Sequence, residues 1–384
     1  MVKVYGGAFD AIGNSCLKLG TNNIDASFTF TVPEGVGKVI IYVACYKENA
    51  TTISVNGINY TIESASKAGE YDEIVVYTYG TSTITVKTDH SRAKINGIDF
   101  FAKEAPEMTG AGLTAGADLS LNYEVTLAEG DEVSKYVMKF VMNGFEYFVN
   151  GELVSGNKYV FKFTGIAPQS IADEVNAYLM CGDEVIVSKE GFSVKKYAEC
   201  FLAQYSGDPN YAKHITLLGD ILAYGEAAND YTGFKPDADF SVDGLGASNV
   251  TPDEGDKGGR EISASTAEGI EFASAGVRFQ YNNKIYVKFA ADKDVILLVN
   301  GVEVEFEALG DGTYVYYTDG ILATDFDTIY TFELVYNGET VQTLKYSVNA
   351  YAISKYQQET PMGKLALALY RYGVSADAIA ESAN

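Results

Sequence analysis

Apolar residues recur with a helical period in two separate stretches of the chain. In the first they fall at i, i+3, i+4, i+7, i+8 and i+11, which gives a helix one apolar face; they are Val194, Tyr197, Ala198, Phe201, Leu202 and Tyr205. A second stripe, spaced i, i+4, i+7 and i+11, occurs twice, as Leu217, Ile221, Tyr224 and Ala228 and as Leu365, Leu369, Tyr372 and Ala376. The pattern predicts a helical hairpin in each stretch.

The second helix of each hairpin has the same starting signal. Asp208-Pro209 precedes one stripe and Thr360-Pro361 precedes the other. A side-chain oxygen accepts a hydrogen bond from a free amide of the first turn, and proline is tolerated there because its missing N–H is not needed. Matching caps and matching stripes indicate that the two stretches are copies.

The similarity extends upstream of the hairpins. Residues 192–194 end a predicted strand and enter the first hairpin, as residues 346–348 do in the other copy. Residues 164–166 likewise correspond to residues 319–321. Self-similarity at a domain-sized interval indicates duplicated domains, because a solenoid would repeat at a much shorter period.

The region before the duplication has a strand pattern. Phe28, Phe30 and Val32 alternate with threonines, which predicts a half-buried strand, and the apolar run at 39–44 predicts a central strand. Asn56-Gly57 separates two further alternating runs and predicts a type I′ hairpin. Because no stripe of helical period occurs, residues 1–103 are predicted to form an all-β sandwich.

The remaining chain divides into two further predicted modules. Asn-Gly turns at 143–144, 150–151 and 300–301 separate short apolar runs. We predict an antiparallel Ig-like sandwich with a helical hairpin over 104–235, a linker over 236–258, and a second copy of the sandwich and hairpin over 259–384. The predicted class is therefore mainly β, with three tandem β-sandwich modules.

The linker is rich in carboxylates, which allows two interpretations. An acidic, solvated linker is the simpler one. A calcium site is the alternative, since clustered carboxylates supply hard oxygen ligands. The spacing does not follow an EF-hand loop, so we favour the linker and expect no metal. The residues concerned are Asp237, Asp239, Asp243, Asp253, Glu254 and Asp256.

The amino-acid composition limits the kinds of partner that we expect. The 384 residues carry a formal net charge of −24, and the sequence pI is near 4.4. This charge repels nucleic acids and anionic membranes, so neither is an expected partner. No apolar run reaches the length of a membrane span, and residues 1–5 do not resemble a signal peptide. If the protein is secreted, the sequence is an internal fragment with an added Met.

The four cysteines are scattered and lack the spacing of a metal site. Cys16 with Cys45, and Cys181 with Cys200, could each pair within one module. Buried free thiols are the favoured interpretation, because so few cysteines so far apart do not form a disulfide framework.

The sequence offers no catalytic centre. His90 and His214 are the only histidines and belong to different predicted modules, so a nucleophile–histidine centre would require an interdomain site. Zinc-protease and nucleophile-elbow motifs are absent. Carboxylate pairs of the glycosidase kind cannot be singled out among so many acidic residues. We therefore predict no enzyme activity and no cofactor.

A family resemblance adds to this prediction. Residues 26–46, the VNG at 55–57, the STITV strand at 82–86 and the closing RAKINGIDF at 92–100 resemble a galactose-binding-like jelly roll. Modules of this kind are appended to secreted proteins of gut Firmicutes. The resemblance covers nearly all of the first module and implies a jelly-roll fold with a sugar site in its loops.

The second module also resembles a known repeat. The TGIAPQ run at 164–169 and the LLGDILAYGEAANDY run at 217–231 are similar to a repeat of large modular surface proteins of intestinal Clostridia. No catalytic residues accompany this resemblance. It implies an extracellular or cell-surface location, with the second and third modules acting as spacers or protein-binding units.

The candidate binding residues lie at predicted strand ends of the first module. Tyr46, Lys47 and Asn49 follow the central strand, and Tyr71 and Arg92 lie near other strand ends. Loops on a rigid sandwich suit ligand binding, because their side chains vary without disturbing the core. We expect a monomer that binds a glycan or a host glycoprotein through these residues.

Two observations leave an alternative function open. Tyrosines more often pack against strands, and the chain has 29 tyrosines but no tryptophan, the commonest platform for sugars. The alternative is a protein-binding adhesin or spacer array that recognises a host protein such as immunoglobulin or a mucin through tyrosine-rich sandwich faces.

Overall fold

The computed structural model describes residues 16–21, 24–46, 50–64, 70–78, 83–89, 92–116, 118–279 and 282–383. Over these residues the chain forms six antiparallel sheets and four α-helices. This content of strands and helices confirms the prediction that the fold is mainly β. None of the helices in these ranges combines the length and the apolar character needed to cross a membrane.

The chain divides into two compact units. The N-terminal unit contains Met1–Glu107, Thr126–Glu132 and Ser155–Asn157, and the C-terminal unit contains Met108–Val125, Val133–Val154 and Lys158–Asn384. The C-terminal unit thus holds most of the first copy of the predicted duplication and all of the second. The exact module boundaries proposed from the sequence stay predictions.

The N-terminal unit has eight described strands in two sheets. The sheet orders are β1-β8-β3-β6 and β2-β7-β4-β5. These are the strand orders of a jelly roll, as expected from the sequence. The strands are β1 (Leu17–Leu19), β2 (Ala26–Thr31), β3 (Val36–Cys45), β4 (Thr51–Val55), β5 (Ile58–Ile62), β6 (Asp72–Tyr77), β7 (Thr83–Thr88) and β8 (Ala93–Ala102).

One core lies between these two sheets. Val39, Ile41 and Val43 alternate along β3 and are fully buried, and Ile84 and Val86 of β7 meet them from the other sheet. A strand with period-two burial faces its partner sheet with every second side chain. The apolar run at 39–44 is therefore the centre of this sandwich.

The first copy of the duplication, repeat 1, contains eight strands. Their sheet orders are β9-β10-β14-β13 and β12-β11-β15-β16, the A-B-E-D and C′-C-F-G arrangement of an Ig-like sandwich. The strands are β9 (Glu107–Ala115), β10 (Leu119–Thr126), β11 (Tyr136–Met142), β12 (Phe145–Val149), β13 (Glu152–Ser155), β14 (Lys158–Ile166), β15 (Val175–Cys181) and β16 (Glu184–Phe192).

The second copy, repeat 2, has the same topology with one added edge strand. Its sheet orders are β18-β19-β23-β22 and β17-β25-β24-β20-β21. The strands are β17 (Glu261–Ile262), β18 (Ile270–Phe279), β19 (Asn283–Ala291), β20 (Ile296–Val299), β21 (Val302–Val304), β22 (Glu307–Gly310), β23 (Thr313–Tyr317), β24 (Tyr330–Tyr336) and β25 (Glu339–Tyr346). The matching orders support the duplication inferred from the sequence.

Each repeat ends in the predicted helical hairpin. Repeat 1 carries α1 (Val194–Tyr205) and α2 (Ala212–Thr232), and repeat 2 carries α3 (Val348–Lys355) and α4 (Pro361–Ala383). The side chain of Ser193 accepts a hydrogen bond from the Lys196 amide at 3.0 Å, and Ser347 accepts one from the Ala350 amide at 2.8 Å. Equivalent serine caps therefore turn the last strand of each repeat into its first helix.

The second helices start differently from one another. Asp208 caps a short 3₁₀ turn, Pro209–Tyr211, and α2 begins after it. Thr360 caps α4 itself, because its hydroxyl accepts a hydrogen bond from the Gly363 amide at 3.2 Å. Both predicted signals act as caps, but only the second one leads directly into an α-helix.

The two hairpins pack on each other through α2 and α4. The rings of Tyr224 and Tyr372 stack at the contact with centroids 5.7 Å apart. The glycine after each tyrosine admits a close neighbour: a Cβ on Gly225 would lie 2.2 Å from Ile171, and one on Gly373 would lie 2.8 Å from Phe326. The repeated Tyr-Gly pair thus joins the hairpins to each other and to the sandwiches.

The segment 236–258, predicted as a linker, packs against the helices. It has no helix or strand of its own beyond one isolated bridge. Phe240 is buried, Asp239 pairs with Lys195 of α1 at 2.7 Å, and Asp220 of α2 accepts a hydrogen bond from the Ser248 amide at 2.8 Å. Burial raises the pKa of Asp220 above its usual value, although hydrogen bonding by Ser248 and Ser375 opposes the rise.

Candidate functional site

The end of β3 and the starts of β8 and β6 meet at one edge of the N-terminal jelly roll. In the sheet β1-β8-β3-β6, the end of β3 pairs with the start of β8, Cys45 opposite Ala93. Just beyond this pair, the amide of Tyr46 donates to the carbonyl of Arg92 at 3.4 Å. The strand register therefore places two of the predicted site residues side by side.

Two cations lie over the ring of Tyr46. The Arg92 guanidinium carbon and the Lys18 ammonium nitrogen are each 5.1 Å from the ring centroid. Contacts of this kind contribute about 0.5–1 kcal/mol each at exposed sites. They orient the ring, and a sugar that stacks on the face held by a cation must displace that cation.

Arg92 also carries an unsatisfied donor. Its Nε is buried and makes no hydrogen bond to any residue in the described ranges. A buried donor without a partner costs about 1–3 kcal/mol, so such groups are uncommon in folded proteins. An oxygen acceptor that reached this nitrogen would remove the cost.

The third predicted residue, Tyr71, immediately precedes β6. The neighbouring Asp72 accepts hydrogen bonds from the amides of Glu63 and Ser64 and from the Ser64 hydroxyl, at 2.8, 3.0 and 2.9 Å. Partial burial would raise the pKa of Asp72, but these hydrogen bonds outweigh it and hold the pKa below its usual value. This network fixes the start of β6, where Tyr71 lies.

The same network reaches the end of β3. The amide of Cys45 donates to the carbonyl of Ser64 at 2.9 Å, and Val43 pairs with Asp72 across β3 and β6. Tyr46 and Tyr71 thus lie on neighbouring strands at the same end of the sheet. The arrangement offers aromatic rings, cations and hydrogen-bond donors on one rigid edge.

Two of the predicted site residues lie outside the described ranges, namely Lys47 and Asn49. The prediction of a binding role for Tyr46, Tyr71 and Arg92 stays a prediction. Sequence reasoning missed Lys18, because β1 has only three residues and pairs with the distant β8. The charged residue in a short apolar run, LKL, was the only available signal.

Among the described residues, no three His, Cys, Asp or Glu side chains cluster as they would around a metal ion. Among the four cysteines, Cys16 and Cys45 are buried, Cys181 is half-buried and Cys200 is exposed. The expectation of burial was wrong for Cys200, which lies on the outer face of α1.

Comparisons with known proteins give partial structural matches only. No protein-family model matches the chain, and no curated protein matches it. Among solved structures, a β-glucuronidase from Ruminococcus gnavus matches with a TM-score of 0.15 and 11% identity, over 43% of this chain and 33% of that one. A glycosyl hydrolase family 2 member from Bacteroides cellulosilyticus matches with a TM-score of 0.16 and 12% identity, over 43% of this chain and 26% of that one.

These matched proteins are glycosidases by name, and the chain spans about a third or less of their length. With TM-scores this low, the superpositions carry no argument about the function of this chain.

Proposed function

We propose that the N-terminal unit is a non-catalytic glycan-binding module of an extracellular or cell-surface protein, with its site at the edge formed by Tyr46, Tyr71 and Arg92. The observation that carries the proposal is the meeting of Tyr46, Arg92 and Lys18 at one strand end. A guanidinium and an ammonium donate hydrogen bonds to sugar hydroxyls or carboxylates, and a tyrosine adds an aromatic face and a hydroxyl.

A single shallow site of this kind binds weakly. We expect a Kd of about 1 mM to 1 μM, or roughly −4 to −8 kcal/mol. Several copies on one cell surface would raise the apparent affinity, because later binding events become intramolecular. Catalysis is not part of the proposal, since the sequence contains neither a zinc-protease motif nor a nucleophile-elbow motif.

The test is titration of the full chain and of Arg92→Gln with a panel of plant and mucin oligosaccharides, by calorimetry or NMR. Gln keeps a polar amide but removes the guanidinium, so we expect at least about a tenfold rise in Kd, equivalent to about 1.4 kcal/mol. Tyr71→Ala should weaken the same ligands if both residues form one site.

Lys38→Gln is the matched control. Lys38 lies near the start of β3, and its ammonium is 5.0 Å from the Phe101 ring centroid. The variant therefore loses a comparable cation–aromatic contact away from the candidate site, and binding should be unchanged. Equal affinities for wild type and Arg92→Gln with every glycan that binds would contradict the proposed site.

The alternative is a protein-binding adhesin, and a different observation favours it. Phe148, Leu153 and Val154 of repeat 1 are large apolar side chains exposed to solvent. Exposed apolar side chains of this size are candidates for a protein contact surface. Pull-down of a host glycoprotein that survives its deglycosylation, and is lost in Phe148→Ser, would support this second function.

A further inference from the structure

The edge of the Ig-like sandwich in repeat 1 is open. Strand β12 pairs with β11, with Phe145 opposite Met142 and Tyr147 opposite Phe140. Residues directly opposite each other in an antiparallel pair point to the same face of the sheet. Met142 and Phe140 are buried, but Phe145 is 68% exposed and Tyr147 is 42% exposed. Phe145 and Tyr147 therefore lie on the face of the sheet that is buried at β11, yet their own side chains are exposed to solvent.

These rings line a surface groove of about 490 Å³, within the usual size range of small-ligand sites. Phe163 lies at its base, with its ring centroid 5.2 Å from that of Tyr147. Phe234, just after the end of α2, forms part of the wall, and Gln169 and Ser170 add an amide and a hydroxyl. No Asp, Glu, Lys, Arg or His is among the described residues that line it.

A polar network holds one wall of the groove in place. The ammonium of Lys235 donates to Asn143 Oδ1 at 2.8 Å and to Asp173 Oδ1 at 2.5 Å. The amide of Asn143 in turn donates to Asp173 Oδ2 at 2.7 Å. Since Asn143 begins the turn into β12, this network ties the β11–β12 turn to the segment after α2.

A second set of bonds fixes Phe234. Asn229 of α2 accepts a hydrogen bond from the Lys235 amide at 2.9 Å and donates one to the Lys235 carbonyl at 2.8 Å. Gly233, in the left-handed conformation with φ 64°, ends the helix just before. Both walls are therefore preorganised, which lowers the entropy lost when a ligand binds.

The fold itself does not require these aromatic residues. Repeat 2 has the same Asn-Gly turn and the same strand pair, with Val302 opposite Val299 and Val304 opposite Leu297. It carries two valines where repeat 1 carries Phe145 and Tyr147. In the sequence correspondence of the two copies, Thr318 takes the place of Phe163. The duplicated sandwich thus forms without the aromatic groove.

We propose that this groove binds a neutral sugar residue of a glycan chain. The exposed rings of Phe145 and Tyr147 supply faces for the C–H groups of a pyranose. The side chain of Gln169 is half-buried and makes no hydrogen bond to other described residues, so its amide is free to bond sugar hydroxyls, whereas Ser170 lines the groove but is buried. An uncharged lining in a chain of net charge −24 disfavours an anionic ligand.

A polar lining also distinguishes a sugar from an apolar peptide side chain. A leucine or phenylalanine in the groove would desolvate the Gln169 amide without giving it a partner, which costs about 1–3 kcal/mol. A pyranose satisfies the same amide. This site lies in the C-terminal unit and is separate from the proposed site at Arg92, so either can fail alone.

The test uses the full chain and four probes: tetrasaccharides of β-1,4-glucose, α-1,4-glucose and β-1,4-galactose, and tetragalacturonate as an acidic contrast. Affinities are measured by calorimetry or by ligand-observed NMR. Phe145→Val/Tyr147→Val installs the repeat 2 residues, and it should raise the Kd of a neutral tetrasaccharide at least about tenfold. Lys38→Gln, which alters neither candidate site, should leave that Kd unchanged.

Two further variants keep the outcome interpretable. Val302→Ala/Val304→Ala makes a double truncation at the corresponding strand of repeat 2 and should not change binding. Gln169→Leu keeps the rings but removes the amide, so it should weaken a sugar several-fold, whereas an apolar peptide would bind as well or better. Circular dichroism checks that each variant is folded.

Several results would overturn the proposal. These are no binding of wild type to any neutral tetrasaccharide, unchanged binding by folded Phe145→Val/Tyr147→Val, or tighter binding of tetragalacturonate than of every neutral probe when that tighter binding is lost in Phe145→Val/Tyr147→Val. Binding of a Phe- and Leu-rich peptide that Gln169→Leu strengthens would assign the groove to a protein partner instead.

Discussion

Repeat 1 and repeat 2 share a strand order and a helical hairpin, yet they differ in local detail. Their common part is the contact of α2 with α4, where the same Tyr-Gly pair occurs in both copies. They differ at the sandwich edge, where repeat 1 exposes aromatic rings and repeat 2 has valines. The comparison separates residues that the fold requires from residues that it merely tolerates.

A second difference lies inside the shared contact. The Tyr224 hydroxyl donates to Asn283 Oδ1 at 2.9 Å. Asn283 is the first residue of β19, whereas β10 of repeat 1 begins with Leu119. The hydroxyl of Tyr372 makes no hydrogen bond to the described residues. The paired tyrosines therefore stack alike but bond differently.

The largest expected effect concerns the stacked tyrosines. Tyr224 and Tyr372 are almost fully buried, and truncating a buried aromatic side chain to Ala costs about 3–5 kcal/mol. We expect Tyr224→Ala and Tyr372→Ala each to lower the free energy of unfolding of the full chain by that amount in urea titrations. The double variant should lose less than the sum, because the two rings touch.

Tyr231→Ala is the control for these truncations. Tyr231 lies on α2 but is exposed, so its loss should change the unfolding free energy by no more than about 0.5 kcal/mol. If Tyr224→Ala costs no more than Tyr231→Ala, the helix contact is not the shared core of the two repeats.

The second largest expected effect is a difference in stability between variants of Tyr224 and of Tyr372. Tyr224→Phe leaves the buried Asn283 oxygen without its donor, which costs about 1–3 kcal/mol, whereas Tyr372→Phe should cost less than about 0.5 kcal/mol. Adding Asn283→Leu to Tyr224→Phe should recover part of the loss, because both polar partners are then replaced. Equal melting temperatures for the two Phe variants would show that the Tyr224–Asn283 hydrogen bond does not contribute to stability.

The smallest expected effect concerns a helix position where the copies differ in charge. Asp377 of α4 corresponds to Asn229 of α2. Burial, together with the negative charges of Asp327, Asp325 and Glu381, raises the pKa of Asp377 from 3.8 to about 6. The folded chain then binds more protons than the unfolded chain between these values, so this group lowers stability as pH rises through that window.

Asp377→Asn, which installs the repeat 1 residue, should therefore raise the melting temperature at pH 7–8 and give no gain below about pH 4. The gain at neutral pH should be about 1 kcal/mol or less, because solvent screens a group that is only partly buried. Asp230→Asn, an exposed neighbour on α2, is the control and should change little at either pH. A gain that is the same at pH 4 and pH 8 would contradict the electrostatic explanation.

Much of the fold followed from local patterns. Alternation at 28–32, the apolar run at 39–44 and the Asn-Gly turns predicted strands and hairpins, and both helical hairpins were found from their stripes and caps. Of the tyrosines on the predicted helical stripes, Tyr224 and Tyr372 are buried and Tyr197 is half-buried. Periodicity identifies a core face because burial repeats with the same period as the backbone.

The candidate sites could be predicted only in part. Tyr46 and Arg92 were chosen as strand-end residues, and the register places them together, but Lys18 was missed. The groove of repeat 1 was missed altogether, since Phe145 and Tyr147 alternate as core residues would. Alternation shows which face a residue points to, and it does not show whether another sheet covers that face.

The sequence by itself determined the duplication, the β-rich class, the hairpins and the acidic charge, because these depend on composition and on spacing along the chain. Only the tertiary structure decided the stacking of Tyr224 on Tyr372, the packing of 236–258 along α2, and the open aromatic edge of repeat 1. These features join residues far apart in sequence, and their energies depend on which surfaces remain uncovered once the sheets and helices have packed.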